Sequence, residues 1–254
     1  MPIETPRSQY RQVADLLRAA IESGEYGPDS VLPAETELAA LHGVSRQTVN
    51  KAVSILRSEG LVRVERGRGT TVRKIPTIHR ASTARYQQTA REDGGGRGAF
   101  DTEIKALGMT PRSDTEVSTV PAPPEVAEAL GLAEGDPVVL RLRRMYANDV
   151  PVQRADSWIP GEIAEGTPLA EVDSGPGGII SRFAELGHAQ TRITESVRVR
   201  RATDEEQSFL QLEEEQFVIE IWHTGWTADD RPVELAIHSV PAHLWVLDYG
   251  WPIG

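Results

Sequence analysis

The side chains best suited to recognition chemistry in this sequence stand together between residues 45 and 69. At 100° per residue, Gln47, Asn50, Lys51 and Ser54 fall on one side of a helix whose other side carries Val49, Ala52, Val53 and Leu56. Arg46 and Thr48 flank the polar side at its N-terminal end. Amide, guanidinium, ammonium and hydroxyl groups on one face, with almost no carbon-rich side chain among them, suit hydrogen bonding to base edges and phosphates in a DNA major groove. Just beyond, Arg66-Gly67-Arg68-Gly69 sets two guanidiniums on a tight turn, where they fit phosphate or the minor groove.

The flanking residues say how such a helix is held. Ser45 stands where an N-cap belongs, and Gly43 suits the left-handed position that ends a preceding short helix. Gly60 closes the second helix in the same way. Alternation then predicts a small hairpin, with Val62 and Val64 inward, Arg63 and Glu65 outward, and a return through Thr70-Thr71-Val72. Upstream, residues 8–23 form a helix with Tyr10, Val13, Leu17, Ala20 and Ile21 on one stripe, closing the core beneath. The pattern is that of a winged helix-turn-helix; the plainer alternative is a three-helix domain with a polar surface.

Leu32-Pro33-Ala34-Glu35, Val44-Ser45-Arg46-x-Thr48-Val49, Glu59-Gly60-Leu61-Val62 and Gly67-x-Gly69-Thr70 resemble the DNA-binding domain of the GntR regulator superfamily, without a gap over residues 9–74. The resemblance implies double-stranded operator DNA as partner, contacted from Glu35, Thr36, Ser45, Arg46, Gln47, Thr48, Asn50, Arg66, Gly67 and Arg68. Family members commonly carry Arg at the positions of Thr36 and Asn50. Asn reaches adenine N6/N7, whereas Arg favours guanine or phosphate, so the operator need not be the family's usual one.

A length of 254 residues accommodates two domains. Absence of cysteine excludes disulfides and thiolate metal sites. No apolar run approaches a membrane span, and the N-terminus lacks a signal-peptide core, so a soluble, cytoplasmic protein with no membrane partner is expected. The six histidines, at 42, 79, 188, 223, 238 and 243, are dispersed. With no nucleophile beside a base and no ligand spacing, neither catalytic residues, a metal nor a cofactor is expected. Net charge is −11, but residues 1–75 carry 11 basic against 9 acidic side chains and the remainder 16 against 29. Positive charge collects at one end, as a DNA binder requires.

Three segments are expected: a DNA-binding domain at 1–75, a linker at 76–98 containing Gly94-Gly95-Gly96, and a second domain at 99–254. Within the last, strands are predicted at 115–120, 138–147, 151–159, 191–201, 216–227 and 232–240. Short helices are expected at 124–130, at 177–186, and after the capping box Thr203-Asp204-Glu205-Glu206. Residues 116–160 repeat as 195–241, with an offset of 79 before the hairpin turn and 81 after it. The α+β fold expected is one antiparallel sheet with pseudo-twofold symmetry and helices over one face.

Leu107-Gly108-Met109-Thr110-Pro111, Ala147-Asn148-Asp149-Val150-Pro151, Gly177-Gly178-Ile179 and Asp230-Arg231-Pro232-Val233-Glu234 resemble the UTRA domain that follows the winged helix in the HutC subfamily, a chorismate-lyase-like fold. The resemblance implies a small-molecule effector, a homodimer, and transmission of a conformational change to the DNA-binding half. Alternation at the stated offsets puts Val138, Leu140 and Leu142, with Phe217, Ile219 and Ile221, in the core. The opposite face carries Arg141, Arg143 and Met145, matched by Glu220, Trp222 and Thr224, and Gln153, Ala155 and Ser157, matched by Glu234, Ala236 and His238. That face is read as the floor of an effector pocket, with Arg143 on an acidic ligand group; alternatively Arg141 and Glu220 merely pair across the sheet. The candidate effector residues are Arg141, Arg143, Met145, Gln153, Ser157, Gly177, Gly178, Trp222, Glu234 and His238. Domains of this type that bind sugar phosphates place a second Arg where this chain has Met145, a carboxylate where it has Ala155, and hydroxyls where it has Gly177 and Gly178. A larger, less charged effector is therefore expected. The function expected is an effector-controlled regulator, a repressor binding an inverted repeat. Alternatives are a ligand-independent dimeric repressor and an enzyme, the latter suggested by the fold alone.

Overall fold

A computed structural model describes residues 8–65, 67–82, 98–175 and 177–251. Two compact units divide the chain: the first takes in the sequence up to Pro76 together with Glu213–Gln216, the second Thr77–Leu212 and the sequence from Phe217 onward.

In the first unit α1 (Gln9–Glu22), α2 (Glu35–His42) and α3 (Arg46–Ser58) are followed by β1 (Val62–Glu65) and β2 (Gly69–Val72), an antiparallel pair. The Ser45 hydroxyl accepts the Thr48 N–H at 3.1 Å, a cap worth about 1 kcal/mol. Gly43, at φ 64°, turns the chain between α2 and α3 in a conformation that costs a Cβ-bearing residue. Val13 and Leu17 pack with Leu38, Val49, Ala52, Leu56, Val62 and Val72 in one core. The Arg18 guanidinium, donating to Glu59 at 2.8 and 3.0 Å, ties α1 to the end of α3. The hairpin departs from simple alternation: Val62 is buried, but Val64 is 55% exposed. A two-stranded ribbon keeps only its base on the core, so the inward side loses its cover towards the tip.

The second unit begins with β3 (Ile78–Ala81), paired in parallel with β10 (Trp245–Asp248). Residues 78–81 therefore form a strand inside the stretch read as linker; Gly94-Gly95-Gly96 lie outside the described residues. The remaining elements are α4 (Ala99–Ala106), β4 (Pro111–Pro121), α5 (Pro124–Leu130), β5 (Pro137–Ala147), β6 (Val150–Pro160), α6 (Gly161–Ala164), α7 (Gly178–Glu185), β7 (Arg192–Arg201), α8 (Asp204–Leu210), β8 (Phe217–Trp226) and β9 (Pro232–Pro241). The capping box opens α8 as expected: Thr203 Oγ1 accepts the Glu206 N–H at 3.2 Å, and Glu206 accepts the Thr203 N–H at 2.9 Å. Six strands form one antiparallel sheet in the order β4-β5-β6-β9-β8-β7. Its halves, β4-α5-β5-β6 and β7-α8-β8-β9, are the two repeats.

The pairing corrects the repeat offset. Arg143 lies between Thr115 and Ala155, and His223 holds the same place between Glu195 and Ala236. Equivalent residues are thus 80 apart up to the hairpin and 81 apart after it, so one loop is longer by one residue, not two. Asp156 pairs with its own counterpart Ile237, which puts the pseudo-twofold axis through that pair. Both long hairpins also slip register at equivalent points, between Met145 and Tyr146 and between Gly225 and Trp226.

A one-residue change of offset moves every side chain of β8 to the other face. Ile221, His223 and Gly225 share a face with Arg141, Arg143 and Met145; Glu220, Trp222 and Thr224 do not. Phe217, expected in the core, is 42% exposed. Helices also cover both faces rather than one. Val138 and Leu235 join Val126 and Leu130 of α5 in one cluster, whereas the neighbouring Val139 packs with Ile163 of α6 and Ile179 and Phe183 of α7 in another.

Candidate DNA-reading surface and effector cavity

On the first unit, Arg46, Gln47, Asn50, Lys51 and Ser54 are exposed along α3, with the Arg46 side chain 71% open to solvent. Thr48 is half-buried, its hydroxyl 2.8 Å from that of Ser45, so both belong to the cap as well as the surface. Glu35, expected among the DNA contacts, is half-buried at the start of α2 and faces its neighbours. Its carboxylate accepts from Arg46 Nε at 2.8 Å and Asn50 Nδ2 at 2.9 Å. Those bonds, from Asn50 first and then Arg46, hold its pKa below the usual carboxylate value. Thr36 is exposed one residue further on.

At the wing, Gly67 takes φ 80° at the tip, and Arg68 folds back to donate to Asp29 Oδ1 at 3.0 Å, the Asp29 carbonyl at 2.9 Å and Glu65 Oε2 at 3.1 Å. Asp29 is a partner that the sequence pattern does not announce, because it lies 39 residues away. Arg66 lies outside the described residues.

On the second unit a cavity of about 610 Å³ opens on the sheet face that carries Arg143. Eight of the ten expected effector residues line it: Arg141, Arg143, Met145, Gln153, Gly177, Gly178, Glu234 and His238. Ser157 lies fully buried in the floor, accepting from Arg143 at 2.6 Å and donating to Glu234 at 2.8 Å. Glu234 also accepts from Gln190 Nε2 at 2.9 Å. Gly225 makes that reach possible, since a Cβ there would stand 2.4 Å from Gln190. Gln153 Nε2 and His238 Nδ1 are 3.0 Å apart.

Two assignments change. Trp222 is on the far face, packed with α5 and donating to Glu220 at 2.9 Å, because the one-residue offset reverses its side. Arg141 faces the cavity but its guanidinium is committed to backbone: it donates to the carbonyls of Leu169 at 2.8 Å, Val172 at 3.2 Å and Glu171. Burial, then the nearby Arg143, lowers its pKa to about 10. Its alternative pairing with Glu220 is excluded, since Glu220 faces the other way and is held by Arg198 and Arg200. Alternation placed Ala236 on this face but missed its strand partner His223, and it offered no signal for Phe100, Asp101 and Lys105, which α4 brings to the rim.

Comparison with known proteins matches both units. The model of bacterial regulatory proteins of the gntR family covers residues 9–72, and the UTRA domain model covers residues 106–243. An uncharacterised HTH-type transcriptional regulator of Streptomyces coelicolor is 33% identical over 252 residues, 96% of this chain and 93% of that protein. The HTH-type transcriptional repressor NagR of Bacillus subtilis is 30% identical, over 92% of this chain and 90% of its own. Among solved structures, a GntR-family transcriptional regulator superposes with a TM-score of 0.62 at 25% identity, covering 98% of this chain and 99% of the other.

Proposed function

The chain belongs to the GntR family of bacterial regulatory proteins and carries a UTRA domain, and from that premise we propose that it represses transcription as a homodimer controlled by a small molecule in the cavity. It is a DNA-binding transcriptional regulator, not an enzyme. The observation that carries the effector reading is the cavity of about 610 Å³, walled by Arg143, Gln153, Glu234 and His238 on the sheet and by Gly177 and Gly178 at the start of α7. In the proposal Arg46, Gln47 and Asn50 read bases while Arg68 and Arg66 hold backbone phosphate. A single α3 reaches only about three or four base pairs, too few to define a site, which favours two copies on an inverted repeat. The half-sites would lie on one face of the duplex, about one helical turn or less apart. We place this activity in the cytoplasm, with the DNA.

The effector in this proposal is larger and less charged than a sugar phosphate. Arg143 already engages Ser157, Met145 stands two residues along, and Ala155, the strand partner of Arg143, supplies no carboxylate. Where sugar-phosphate-binding domains of this type carry a second guanidinium and hydroxyls, this chain has Met145, Gly177 and Gly178, although Arg112, Lys105 and Ser174 also line the cavity. A thermal-shift screen of polar metabolites tests the reading: ligand at 100 times its Kd stabilises by about 2.7 kcal/mol. The hit should lower operator affinity, and Arg143→Ala should abolish that response while leaving ligand-free DNA binding unchanged. A ligand that stabilises the protein with no effect on DNA binding would overturn it in favour of a ligand-independent repressor, and loss of DNA binding in Arg143→Ala would make Arg143 structural and remove the pocket assignment.

A further inference from the structure

The cavity has a second side that mirrors the first. His223 lines it and occupies, in the second repeat, the position that Arg143 occupies in the first. His223 is backed by a charged chain. Its Nδ1 lies 3.1 Å from Glu195 Oε1. Glu195 also accepts from Tyr249 at 2.7 Å and is paired with Arg80, whose NH1 donates to Oε2 at 3.0 Å and whose NH2 bonds Oε1. Arg80 is 1% exposed and belongs to β3, which begins at Ile78, two residues after Pro76 closes the N-terminal stretch of the first unit.

A dry ion pair contributes little stability compared with apolar side chains of the same volume, so its presence points to a task other than holding the fold. The counterpart of Glu195 in the first repeat is Thr115, so the carboxylate occurs only in the half that meets β3. Burial works to raise the Glu195 pKa, but the bonds from His223 and Arg80 outweigh it and hold the carboxyl well below its usual range. An ionised Glu195 can only accept, so the His223 nitrogen facing it carries a proton and its ring orientation is set. The helix α4, which brings Phe100, Asp101 and Lys105 to the cavity, also packs against β3.

We propose that His223 is an effector-contacting residue and that Glu195 and Arg80 are positioning residues linking it to β3, so that cavity and DNA-binding unit are coupled through this strand. The inference rests on the reading of the cavity as the effector site. A ligand that reorients the His223 ring must move Glu195, and Glu195 draws Arg80 along because the two form a buried ion pair. Because coupling is reciprocal, operator DNA must be felt at His223 even with no effector present.

The test uses the full chain, with ¹⁵N-labelled histidine and an operator duplex obtained by in vitro selection. Ring nitrogen signals are assigned with His223→Gln. Saturation with operator is expected to shift the His223 signals and to leave those of His188, in the loop after α7, in place. The shift should vanish in Arg80→Gln and in Glu195→Gln, while operator affinity measured without effector stays within about twofold. A His223 shift that persists in both variants overturns the proposal, as does no shift in the unaltered protein. Should Arg80→Gln fail to fold, Glu195→Gln, which keeps the shape and removes the charge, decides alone; its losing operator binding outright would make the pair structural and also overturn the proposal. Failure here leaves the effector reading standing, since that is decided by ligand stabilisation and operator release; failure there, with a shift retained here, would leave a coupled strand serving no ligand.

Discussion

Glu35 accepts from Arg46 and Asn50 at 2.8 and 2.9 Å, so two side chains that the proposal assigns to base reading are already oriented in the DNA-free protein. Ordering a long side chain on binding costs about 0.5–1.5 kcal/mol, which this arrangement settles in advance. Asn50 donates one amide hydrogen to Glu35 and retains the other, with its carbonyl, for an adenine edge. Glu35→Ala is therefore expected to weaken the selected operator about tenfold. Affinity for a scrambled duplex should hold or rise, because a carboxylate has left the surface; anisotropy titrations on both duplexes measure the difference. Arg68 presents a contrasting case. In the proposal its bonds to Asp29 and Glu65 are exchanged for phosphate, a contact that carries no sequence information. Arg68→Ala should weaken both duplexes alike and reduce the slope of log K against log salt by about one unit. Equal loss on both duplexes in Glu35→Ala, with an unchanged salt slope in Arg68→Ala, would show that neither residue acts as described.

At the scale of elements, the two repeats solve the same packing problem differently. Where α5 meets the sheet, Val120 and Val126 pack in an apolar cluster. Where α8 meets it, the equivalent positions are Arg200 and Glu206, with Glu220 in place of Leu140. Arg200 bonds Glu206 at 2.7 and 2.8 Å and Glu220 at 2.6 Å. Burial pushes the Glu206 carboxyl up, but Arg200, Ser239 and the Thr203 backbone outweigh it and bring it down to about 2. A depressed carboxylate stabilises the fold above its unfolded value of 4.5 and loses that contribution as pH falls towards 2. The urea midpoint should accordingly drop between pH 4.5 and 2. At pH 7, Glu206→Ala leaves Arg200 partly stranded and should cost about 2–3 kcal/mol, discounted from a fully buried pair because Arg200 retains some water. The triple change R200V/E206V/E220L imports the apolar solution of the first repeat. It should cost no more than about 1 kcal/mol and flatten the acid dependence; an equal loss in the single and triple variants would show that packing, not unpaired charge, sets the cost.

For the whole molecule, an excess of acidic over basic side chains beyond residue 75 repels the duplex, while the basic wing draws it in. Control by an effector then requires only a modest bias between conformations that suit the operator and those that do not. Typical coupling of about 1–3 kcal/mol corresponds to about 5–150-fold in operator affinity. Linkage demands that operator DNA alter effector affinity by the same factor, and calorimetric titration with and without duplex checks it. A dimer on an inverted repeat should also protect two half-sites together. Footprinting of a single half-site by a monomer would remove the twofold arrangement and, with it, any control through half-site spacing.

Much of this was legible from residue types and spacing alone. Ser45, Gly43 and Gly60 mark helix ends by local backbone chemistry, and the exposed face of α3 follows from a 3.6-residue period, so that face needed no tertiary information. The wing and the internal repeat were equally visible. Register was not. Both faces of the six-stranded sheet are covered by helices, so apolar residues occur at odd and even positions of β8, and alternation fits two offsets one residue apart almost equally well. Hydrogen-bonded pairing decided between them, moving Trp222 off the cavity face and His223 onto it. The partners of the charged groups were also beyond sequence reach. Arg80 finds Glu195 across 115 residues, Arg141 turns to the Leu169, Glu171 and Val172 carbonyls, and Arg68 meets Asp29, because a long side chain pairs with whatever the chain's path brings within 3 Å. Local sequence specifies helices, caps and turns through short-range sterics and hydrogen bonds; which face a strand shows, and which charge answers another, is settled only when distant segments pack.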